Sequence, residues 1–228
     1  MCEGPASPEA ASTSKPLDID PSKLAIHKTT KPKALLDPSN LIFGRNFTDH
    51  MLTIEWAQTD GWRAPTIQPY QNLSLDPATC VFHYGFECFE GMKAYKDKAG
   101  AVRLFRPDKN MERFNKSAAR IALPTFSATA LTDLIARFAR LEERFIPRER
   151  GYSLYLRPTM IGTQKTLGVG PPAPRCSSSS RRPSAPTTPR ASRPSHSRPP
   201  TTPCVRGPGG VCDKKLGANY RACVLPHT

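Results

Sequence analysis

Apolar and polar positions alternate with two different periods along the middle of the chain. Five short runs rich in β-branched and aromatic residues favour strands, at 52–56, 81–84, 92–95, 102–105 and 151–162. The polar turn from Asp97 to Gly100 separates the third run from the fourth and predicts a β-hairpin.

Two further segments carry apolar residues at helical spacing. The first has Met111, Phe114, Ala118 and Ile121, and the second has Leu131, Leu134, Ile135, Phe138, Leu141 and Phe145. Pro124 ends the first pattern, while Ser127 and Pro147 predict the N-cap and the stop of the second. The order of strands, two helices and a strand predicts an α+β fold, with helices on a mostly antiparallel sheet.

The two ends of the chain lack this patterning. Residues 1–38 are rich in Pro, Ser, Ala, Thr and Lys, which predicts a disordered leader. From Pro171 to Cys204 the sequence has no Val, Ile, Leu, Phe, Met, Trp or Tyr. Ordering a residue costs roughly 1 to 2 kcal/mol of backbone entropy, and no large side chain is there to offset it. Residues 173–204 are therefore predicted to be disordered.

Charge is distributed unevenly along the chain. It carries 33 Lys and Arg against 19 Asp and Glu, a net charge of +14, yet Asp213 is the one acidic residue after Glu149. This basic part raises a nucleic-acid-binding tail as a hypothesis, because Lys and Arg neutralise phosphates. The Arg- and Ser-rich segment lacks the interleaved aromatic residues that stack on bases, which weighs against nucleic acid as a partner.

The cysteines and the apolar runs narrow the class of protein. The seven cysteines are odd in number, form no CxxC pair and follow no signal peptide, which predicts free thiols and no metal site. No apolar run approaches the roughly 20 residues of a membrane span. The N-terminal stretch contains acidic residues and has no Arg before Arg45, which argues against a mitochondrial presequence and favours the cytoplasm.

The run SLYLRP, at 153–158, brings polar side chains onto a strand. A period of two places Leu154 and Leu156 on one face, and Tyr155 and Arg157 on the other. A hydroxyl and a guanidinium beside apolar packing are able to bind a carboxylate, and the same pattern also fits a solvated outer face. Spacing alone leaves both interpretations open.

Five blocks of sequence, in order, carry a family resemblance. They are SNLIFGRNFTDHMLTIEW at 39–56, QNLSLDPATCVFHYGFECFEGMKAY at 71–95, VRLFRPDKNMERFNKSAARIALP at 102–124, SLYLRPTMIGTQKTLGVGPP at 153–172 and GGVCDKKLGANY at 209–220. Together they resemble the branched-chain amino-acid aminotransferases of eukaryotes, of the fungal kind. The resemblance implies the small domain of a fold-type IV pyridoxal phosphate enzyme at 39–172, and a fragment of the large, cofactor-binding domain at 205–228.

The same resemblance implies roles for individual residues. Lys215 matches the lysine that forms a Schiff base with pyridoxal 5'-phosphate, whereas its neighbour Lys214 does not. Tyr220 matches a tyrosine that hydrogen-bonds the cofactor, and Arg113 and Arg206 resemble arginines near the cofactor phosphate. The residues that match the substrate pocket are Phe43, Tyr84, Phe89, Tyr155 and Arg157.

The implied activity transfers the amino group of leucine, isoleucine or valine to 2-oxoglutarate, and the implied assembly is a homodimer. Two departures favour a truncated chain without activity as the alternative function. The family has apolar strands where this chain has residues 173–204, which suggests a local frameshift. The glutamate that holds the cofactor's ring nitrogen protonated lies, in the family, well beyond the lysine.

Overall fold

The structure is a computed structural model that describes residues 17–168 and 214–217, together with the backbone of residues 180–181 and 184–185. Within this part of the chain, two β-sheets and three α-helices enclose one apolar core. The α+β fold class predicted from the order of the sequence patterns is confirmed.

The smaller sheet has the strand order β1-β5-β2, in which β1 is parallel to β5 and β2 is antiparallel to it. The larger sheet follows the order β4-β3-β10-β9-β7-β8, and β6 and β11 also pair with β9. The strands are β1 (Ala25–Ile26), β2 (His50–Thr53), β3 (Glu55–Ala57), β4 (Gly61–Trp62), β5 (Thr66–Pro69), β6 (Glu87–Phe89), β7 (Met92–Lys96), β8 (Val102–Leu104), β9 (Leu154–Gly162), β10 (Ser180–Arg181) and β11 (Ser184–Ala185).

Strand β9 forms the centre of the larger sheet, and its two faces differ in polarity. Leu154, Leu156 and Met160 are buried in the core, whereas Tyr155 and Arg157 are half-buried on the opposite face. The alternation follows from the strand's period of two. We call the face that carries Tyr155 and Arg157 the outer face of the sheet.

The helices pack against the inner, apolar face. They are α1 (Cys80–Tyr84), α2 (Pro107–Arg120) and α3 (Ala128–Leu141), and short 3-10 helices span Pro21–Lys23, Pro38–Asn40 and Glu143–Phe145. Helix α2 buries Met111, Phe114 and Ala118, and α3 buries an apolar stripe that includes Leu134 and Phe138. Each large apolar side chain removed from water contributes roughly 1.5 to 3 kcal/mol, so these stripes hold the helices on the sheet.

The hairpin and the start of α3 agree with the sequence patterns, whereas α3 ends at Leu141, before the stop predicted at Pro147, and Phe145 lies in a 3-10 helix. The hydroxyl of Ser127 accepts a hydrogen bond from the Ala130 amide, as expected of an N-cap. Helix α2 ends at Arg120, four residues before Pro124. Between them, Ala122 adopts a positive φ of 55°. The predicted hairpin is confirmed, since β7 and β8 pair antiparallel.

The strand predicted at 81–84 is wrong, because these residues form α1. The helix is closed by Gly85, which has a φ of 62° and whose amide donates to the carbonyl oxygen of Val81. A tertiary contact fixes its start, where the Cys80 amide donates to the carbonyl oxygen of Gln164 at 2.9 Å. Five residues are too few for periodicity to distinguish such a turn from a strand.

The predicted leader is wrong for residues 17–38, and residues 1–16 lie outside the described residues. Ile19 is 5 % exposed and belongs to the core, and β1 pairs with β5. Backbone pairing also differs from the prediction at 180–181 and 184–185, where β10 and β11 pair with β9. Pairing of this kind uses backbone groups alone, so an apolar pattern did not reveal it. The rest of 173–204 lies outside the described residues.

A buried histidine ties residues 27–33 to the fold. The Thr29 amide donates to Nε2 of His50 at 2.9 Å, so Nε2 carries no proton and Nδ1 is the protonated ring nitrogen. That Nδ1 donates to Oε1 of Glu142 at 2.5 Å. Glu142 is the residue that follows the end of α3. The second oxygen of Glu142 accepts from the Asp49 amide at 2.9 Å, which closes a network of buried groups.

Asp49 extends this network to the surface. Its carboxylate accepts from the Lys33 amide at 2.9 Å and from Nη2 of Arg144 at 2.5 Å, and Arg144 also donates to the Lys33 carbonyl oxygen. Burial by itself raises the pKa of the Asp49 carboxyl. The hydrogen bonds from Lys33 and Arg144 outweigh burial and hold that pKa below its usual range.

We expect Asp49→Asn to lower the free energy of unfolding at pH 7 by about 1 to 3 kcal/mol, because two donors lose a charged acceptor. Since the folded pKa of Asp49 is depressed, its stabilisation is present above the unfolded pKa and is lost as the pH falls below about 4. Urea unfolding between pH 7 and pH 3 measures both effects.

The control is Asp60→Asn, which removes an exposed carboxylate paired with Arg63. At each pH in the same range, the free energy of unfolding of this variant should be nearly equal to that of the wild type. If Asp49→Asn and the wild type lost stability in parallel down to pH 3, Asp49 would not be the group responsible.

Candidate functional site

The segment that contains Lys215 lies along β6 and against α2. The Lys215 carbonyl oxygen accepts from the Phe89 amide at 3.1 Å, and the Lys215 amide donates to the Ser117 hydroxyl at 3.0 Å. Leu216 pairs with Cys88 as an isolated antiparallel bridge, and its side chain is 5 % exposed within the core. Backbone pairing and an apolar anchor therefore hold the lysine in one position on the sheet.

The amine of Lys215 lies on the outer face, above an aromatic ring. Its Nζ is 4.6 Å from the ring centroid of Phe89, and the guanidinium carbon of Arg157 is 4.5 Å from the same centroid. Both are cation–π distances. A primary amine and a guanidinium therefore both contact the ring of Phe89, which is 8 % exposed.

Tyr155 and Phe43 complete the arrangement, which we call the Lys215 cluster: Lys215, Phe89, Arg157, Tyr155 and Phe43. Nε of Arg157 donates to the Tyr155 hydroxyl at 3.2 Å, and its guanidinium carbon lies 5.1 Å from the Tyr155 ring centroid. The rings of Tyr155 and Phe43 meet edge to face with centroids 5.3 Å apart. Five residues predicted from the sequence therefore come together from four separate segments.

A glycine makes room for the tyrosine. A Cβ atom added at Gly91 would lie 2.1 Å from the Tyr155 hydroxyl oxygen and 2.9 Å from Cζ of the same ring. Any other residue at position 91 would displace the ring of Tyr155. The ring of Tyr155 therefore explains why position 91, in the sequence FEGMK, is a glycine.

Arg113 is held by a buried carboxylate. Its Nε and Nη2 donate to the two oxygens of Glu90 at 2.6 and 2.7 Å, and Asn110 donates to the same carboxylate at 2.8 Å. The Glu90 side chain is fully buried, whereas that of Arg113 is 49 % exposed. A bidentate pair of this kind fixes the plane of the guanidinium.

A basic cavity of about 410 Å³ connects Arg113 with Tyr155. Four cationic side chains line it, from Lys93, Arg106, Lys109 and Arg113, and no carboxylate is among its lining residues in the described part of the chain. Arg113 and Lys109 are each paired with a carboxylate, of Glu90 and Glu112, so the surplus positive charge at the cavity comes from Lys93 and Arg106. This surplus favours an anion.

Tyr84 is a predicted site residue that lies apart from these contacts in the described part of the chain. Tyr84 ends α1, where its hydroxyl donates to the carbonyl oxygen of Leu167 and its ring contacts Phe86. Tyr220 and Arg206 lie outside the described residues.

Sequence patterns gave no indication of Glu87, Glu90 and Ser117, which all lie at the site. Burial raises the pKa of the Glu87 carboxyl, and the nearby charge of Arg157 opposes that shift. A Cβ added at Gly217 would lie 2.8 Å from Oε2 of Glu87, so the lysine segment approaches this carboxylate closely. Each residue looks like an ordinary polar position in the sequence, and its partner is distant along the chain.

The described residues show no metal site and no helix that could span a membrane. They contain no group of three or more His, Cys, Asp or Glu side chains able to hold a metal ion. Cys80 and Cys88 are buried free thiols. None of the helices in this part of the chain has the length and apolar character that a membrane crossing needs.

Curated relatives show which family the chain belongs to. The mitochondrial branched-chain-amino-acid aminotransferase of Saccharomyces cerevisiae is 48 % identical over 208 residues, which cover 91 % of this chain and 53 % of that protein. The cytosolic enzyme of the same yeast is 47 % identical over 220 residues, covering 91 % and 55 %. The Dictyostelium discoideum enzyme is 43 % identical over 216 residues, covering 94 % and 57 %. The chain is a member of the branched-chain-amino-acid aminotransferase family, as the resemblance predicted.

The chain spans about half the length of the curated relatives it matches. No family model matches it. Among solved structures it is similar to the branched-chain amino acid aminotransferase of Escherichia coli, with a TM-score of 0.45 and 21 % identity over 73 % of this chain and 50 % of that one. The enzyme of Thermoproteus uzoniensis has a TM-score of 0.42 and 21 % identity, covering 60 % and 41 %.

The ion pair of Arg113 with Glu90 should respond asymmetrically to mutation. We expect Arg113→Met to lower the free energy of unfolding by about 3 kcal/mol, because a fully buried carboxylate loses its charged partner. Glu90→Gln should cost less, since the half-exposed guanidinium reaches water. Urea unfolding without added ligand measures both.

Arg103→Met is the matched control, because Arg103 pairs with the more exposed carboxylate of Asp97. It should cost less than about 1 kcal/mol. Equal costs for the two partners of the Arg113 pair, or a larger cost for Glu90→Gln, would contradict the assignment of Glu90 as the buried charge that needs pairing.

Proposed function

We propose that the whole protein is a pyridoxal phosphate-dependent transaminase of branched-chain amino acids. In this proposal residues 39–172 form the small domain and residues 205–228 open the large, cofactor-binding domain. The observation that carries it is the Lys215 cluster, in which the lysine assigned by the family resemblance presents its amine at the Phe89 ring that Arg157 also contacts. Relatives named as branched-chain-amino-acid aminotransferases support the same activity.

The donor set suits a cofactor with an aldehyde and a phosphate. A primary amine is the group that condenses with an aldehyde, and Lys215 supplies it on the open face of the sheet. A phosphate dianion needs fixed cations, and Arg113 lies in a cavity lined by four of them. Arg113 and Ser117 are one turn apart on α2, and the Ser117 hydroxyl accepts from the Lys215 backbone amide, so the lysine segment and Arg113 contact the same side of that helix.

When bound, pyridoxal phosphate supplies an electron sink for the carbon that loses its proton. Lys215 would hold the cofactor through Nζ. Once free, the same Nζ would be the base that takes the proton from the substrate α-carbon and the acid that gives it back. This double use requires that the amine stay near the site after release, and the backbone bonds of Lys215 to Phe89 and Ser117 fix the point from which its side chain starts.

The remaining cofactor contacts follow the family resemblance. Arg113, oriented by Glu90, binds the phosphate with the side of the guanidinium that faces the basic cavity. Arg206 is proposed to lie near the same phosphate, and Tyr220 to hydrogen-bond the cofactor ring substituent. Both are carried by the resemblance alone, since they lie outside the described residues.

The outer face also fits the substrate. Phe43, Phe89 and the ring of Tyr155 offer an apolar surface for the side chain of leucine, isoleucine or valine. Arg157 offers the cation that binds the carboxylate of the amino acid or of 2-oxoglutarate. Tyr84 is proposed to border the same pocket.

Assembly and location belong to the proposal as well. We propose a homodimer that acts in the cytoplasm on small-molecule substrates, without nucleic acid as a partner. The curated relatives include cytosolic as well as mitochondrial enzymes, so the cytoplasm rests on the acidic composition of the N-terminal stretch. An inactive chain is the competing proposal, and the following experiment separates the two.

Incubation of the chain with pyridoxal 5'-phosphate, followed by borohydride reduction and peptide mass mapping, should place the label on Lys215. Lys215→Ala should abolish labelling at this position, and Lys214→Ala is the matched control that should retain it. In an assay with leucine and 2-oxoglutarate, glutamate formation should disappear in Lys215→Ala and persist in Lys214→Ala. The two lysines are adjacent, so unspecific loss of folding affects both variants alike.

Two results would count against the proposal. Label spread evenly over surface lysines would show that Lys215 has no special affinity for the cofactor. Specific label on Lys215 without any glutamate formation would favour the inactive chain, which binds the cofactor and does not turn over.

A further inference from the structure

We propose that Glu87 is a specificity-determining residue, which favours a ligand with an ammonium group beside its carboxylate over the same carboxylate without one. The selectivity rests on the proposed function in one respect, namely that Arg157 receives the carboxylate of the ligand. The position of Glu87 at the Lys215 cluster stands on contacts in the described residues.

Glu87 lies on the same face of β6 as Phe89. The intervening Cys88 is fully buried in the core, so the strand's period of two places Glu87 and Phe89 together on the outer face. Both cations of the cluster contact the ring of Phe89, with Nζ of Lys215 at 4.6 Å and the guanidinium carbon of Arg157 at 4.5 Å from its centroid. Glu87 is therefore the next outward-facing side chain of β6 beside the ring that both cations contact.

A glycine leaves space for the carboxylate of Glu87. A Cβ atom added at Gly217 would lie 2.8 Å from Oε2 and 3.2 Å from Cδ of Glu87. Gly217 is two residues beyond Lys215, whose carbonyl oxygen accepts from the Phe89 amide at 3.1 Å. The carboxylate thus lies against the segment that carries the reactive lysine.

The charge of Glu87 is coupled to that of Arg157. Burial raises the pKa of the Glu87 carboxyl, and the positive charge of Arg157 opposes that shift. Among the other charged groups of the elements next to β6, Lys215 belongs to the segment that Glu87 contacts, and Arg113 of α2 is paired with Glu90. Glu87 is thus a half-buried carboxylate that offsets part of the positive charge at the cluster.

A negative charge in this position distinguishes two kinds of ligand. A carboxylate bound at Arg157 brings a second negative charge near Glu87, and like charges at short range weaken binding. An ammonium group on the adjacent carbon cancels the charge of the ligand, so an amino acid escapes this repulsion. Glu87 therefore favours an amino acid over the matching carboxylic acid by opposing the ligand that it should not bind.

Leucine and 4-methylvalerate are matched probes, because they differ in the amino group alone. NMR titration of the full chain at pH 7 gives the ratio of their dissociation constants. In Glu87→Gln this ratio should shift in favour of 4-methylvalerate by at least about threefold, since the repulsion is lost. A ratio rather than one affinity is compared, so a general loss of folding affects both probes alike.

Two control variants accompany this measurement. Glu87→Asp keeps the charge and should keep the preference for leucine. Glu143→Gln removes an exposed carboxylate just after α3 and should leave the ratio unchanged. An unchanged ratio in Glu87→Gln, or an equal shift in Glu143→Gln, would overturn the role of Glu87.

A second measurement needs no ligand. Carbon NMR of the Glu87 carboxyl group during a pH titration reports its coupling to Arg157. In Arg157→Met the pKa of Glu87 should rise further, because burial remains and the opposing positive charge is lost. Arg63→Met is the control, since Arg63 pairs with Glu55 on β3, and it should leave the pKa of Glu87 unchanged. An unchanged pKa in Arg157→Met would overturn the coupling.

Arg157→Met also separates the role of Glu87 from the proposed function. This variant should weaken the binding of both probes at least about tenfold, because each loses the cation for its carboxylate. If both probes bound equally well to Arg157→Met, the carboxylate site of the proposed function would fail, whereas an unchanged ratio in Glu87→Gln alone would overturn Glu87. Binding of neither probe to the wild type would overturn both.

Discussion

Strand β9 has one apolar face and one polar face, and the arrangement of the whole fold depends on that difference. Leu154, Leu156 and Met160 pack into the core beneath α2 and α3. The intervening Tyr155 and Arg157 lie on the outer face, because successive side chains of a strand point to opposite faces. Burial of the apolar side chains on the inner face contributes to the free energy of folding. The polar side chains on the outer face remain partly exposed to solvent.

Helix α2 packs in the core and also contributes residues to the site. Its apolar side holds it against the sheet, while Asn110, Arg113 and Ser117 make the polar contacts near β6. The buried carboxylate of Glu90 accepts from two of these residues, and the charge would be costly in a core without them. The hydrogen bonds that Glu90 accepts also orient Arg113, so the stability of the buried carboxylate and the geometry of the cation proposed to bind phosphate have the same physical cause.

Sequence patterns predicted the features that depend on neighbours along the chain. The stripes of α2 and α3, the Ser127 cap, the hairpin and the alternation of β9 follow from periodicity and capping within a few residues. The grouping of Phe43, Phe89, Tyr155, Arg157 and Lys215 was implied by the family resemblance, and their contacts now give it a geometry. The assignment of Arg206 and Tyr220 stays a prediction.

The patterns failed where a distant partner decides the structure. Residues 17–38 are polar in composition, yet Ile19 enters the core and Thr29 and Lys33 are tied to His50 and Asp49. Helix α1 depends on a contact with Gln164, far along the chain. Glu90 and Ser117 acquire their roles from Arg113 and Lys215, and no local property of a glutamate or a serine indicates such partners.

The proposed site depends on one feature above all, the amine of Lys215 above the ring of Phe89 on the outer face. Because an aromatic ring shields the protons above its plane, NMR of the ε-methylene protons of Lys215 tests this position directly. We predict an upfield shift relative to the other lysines that disappears in Phe89→Leu, together with cross-relaxation between these protons and the ring. Shifts equal to those of exposed lysines, and unchanged in Phe89→Leu, would contradict the claim.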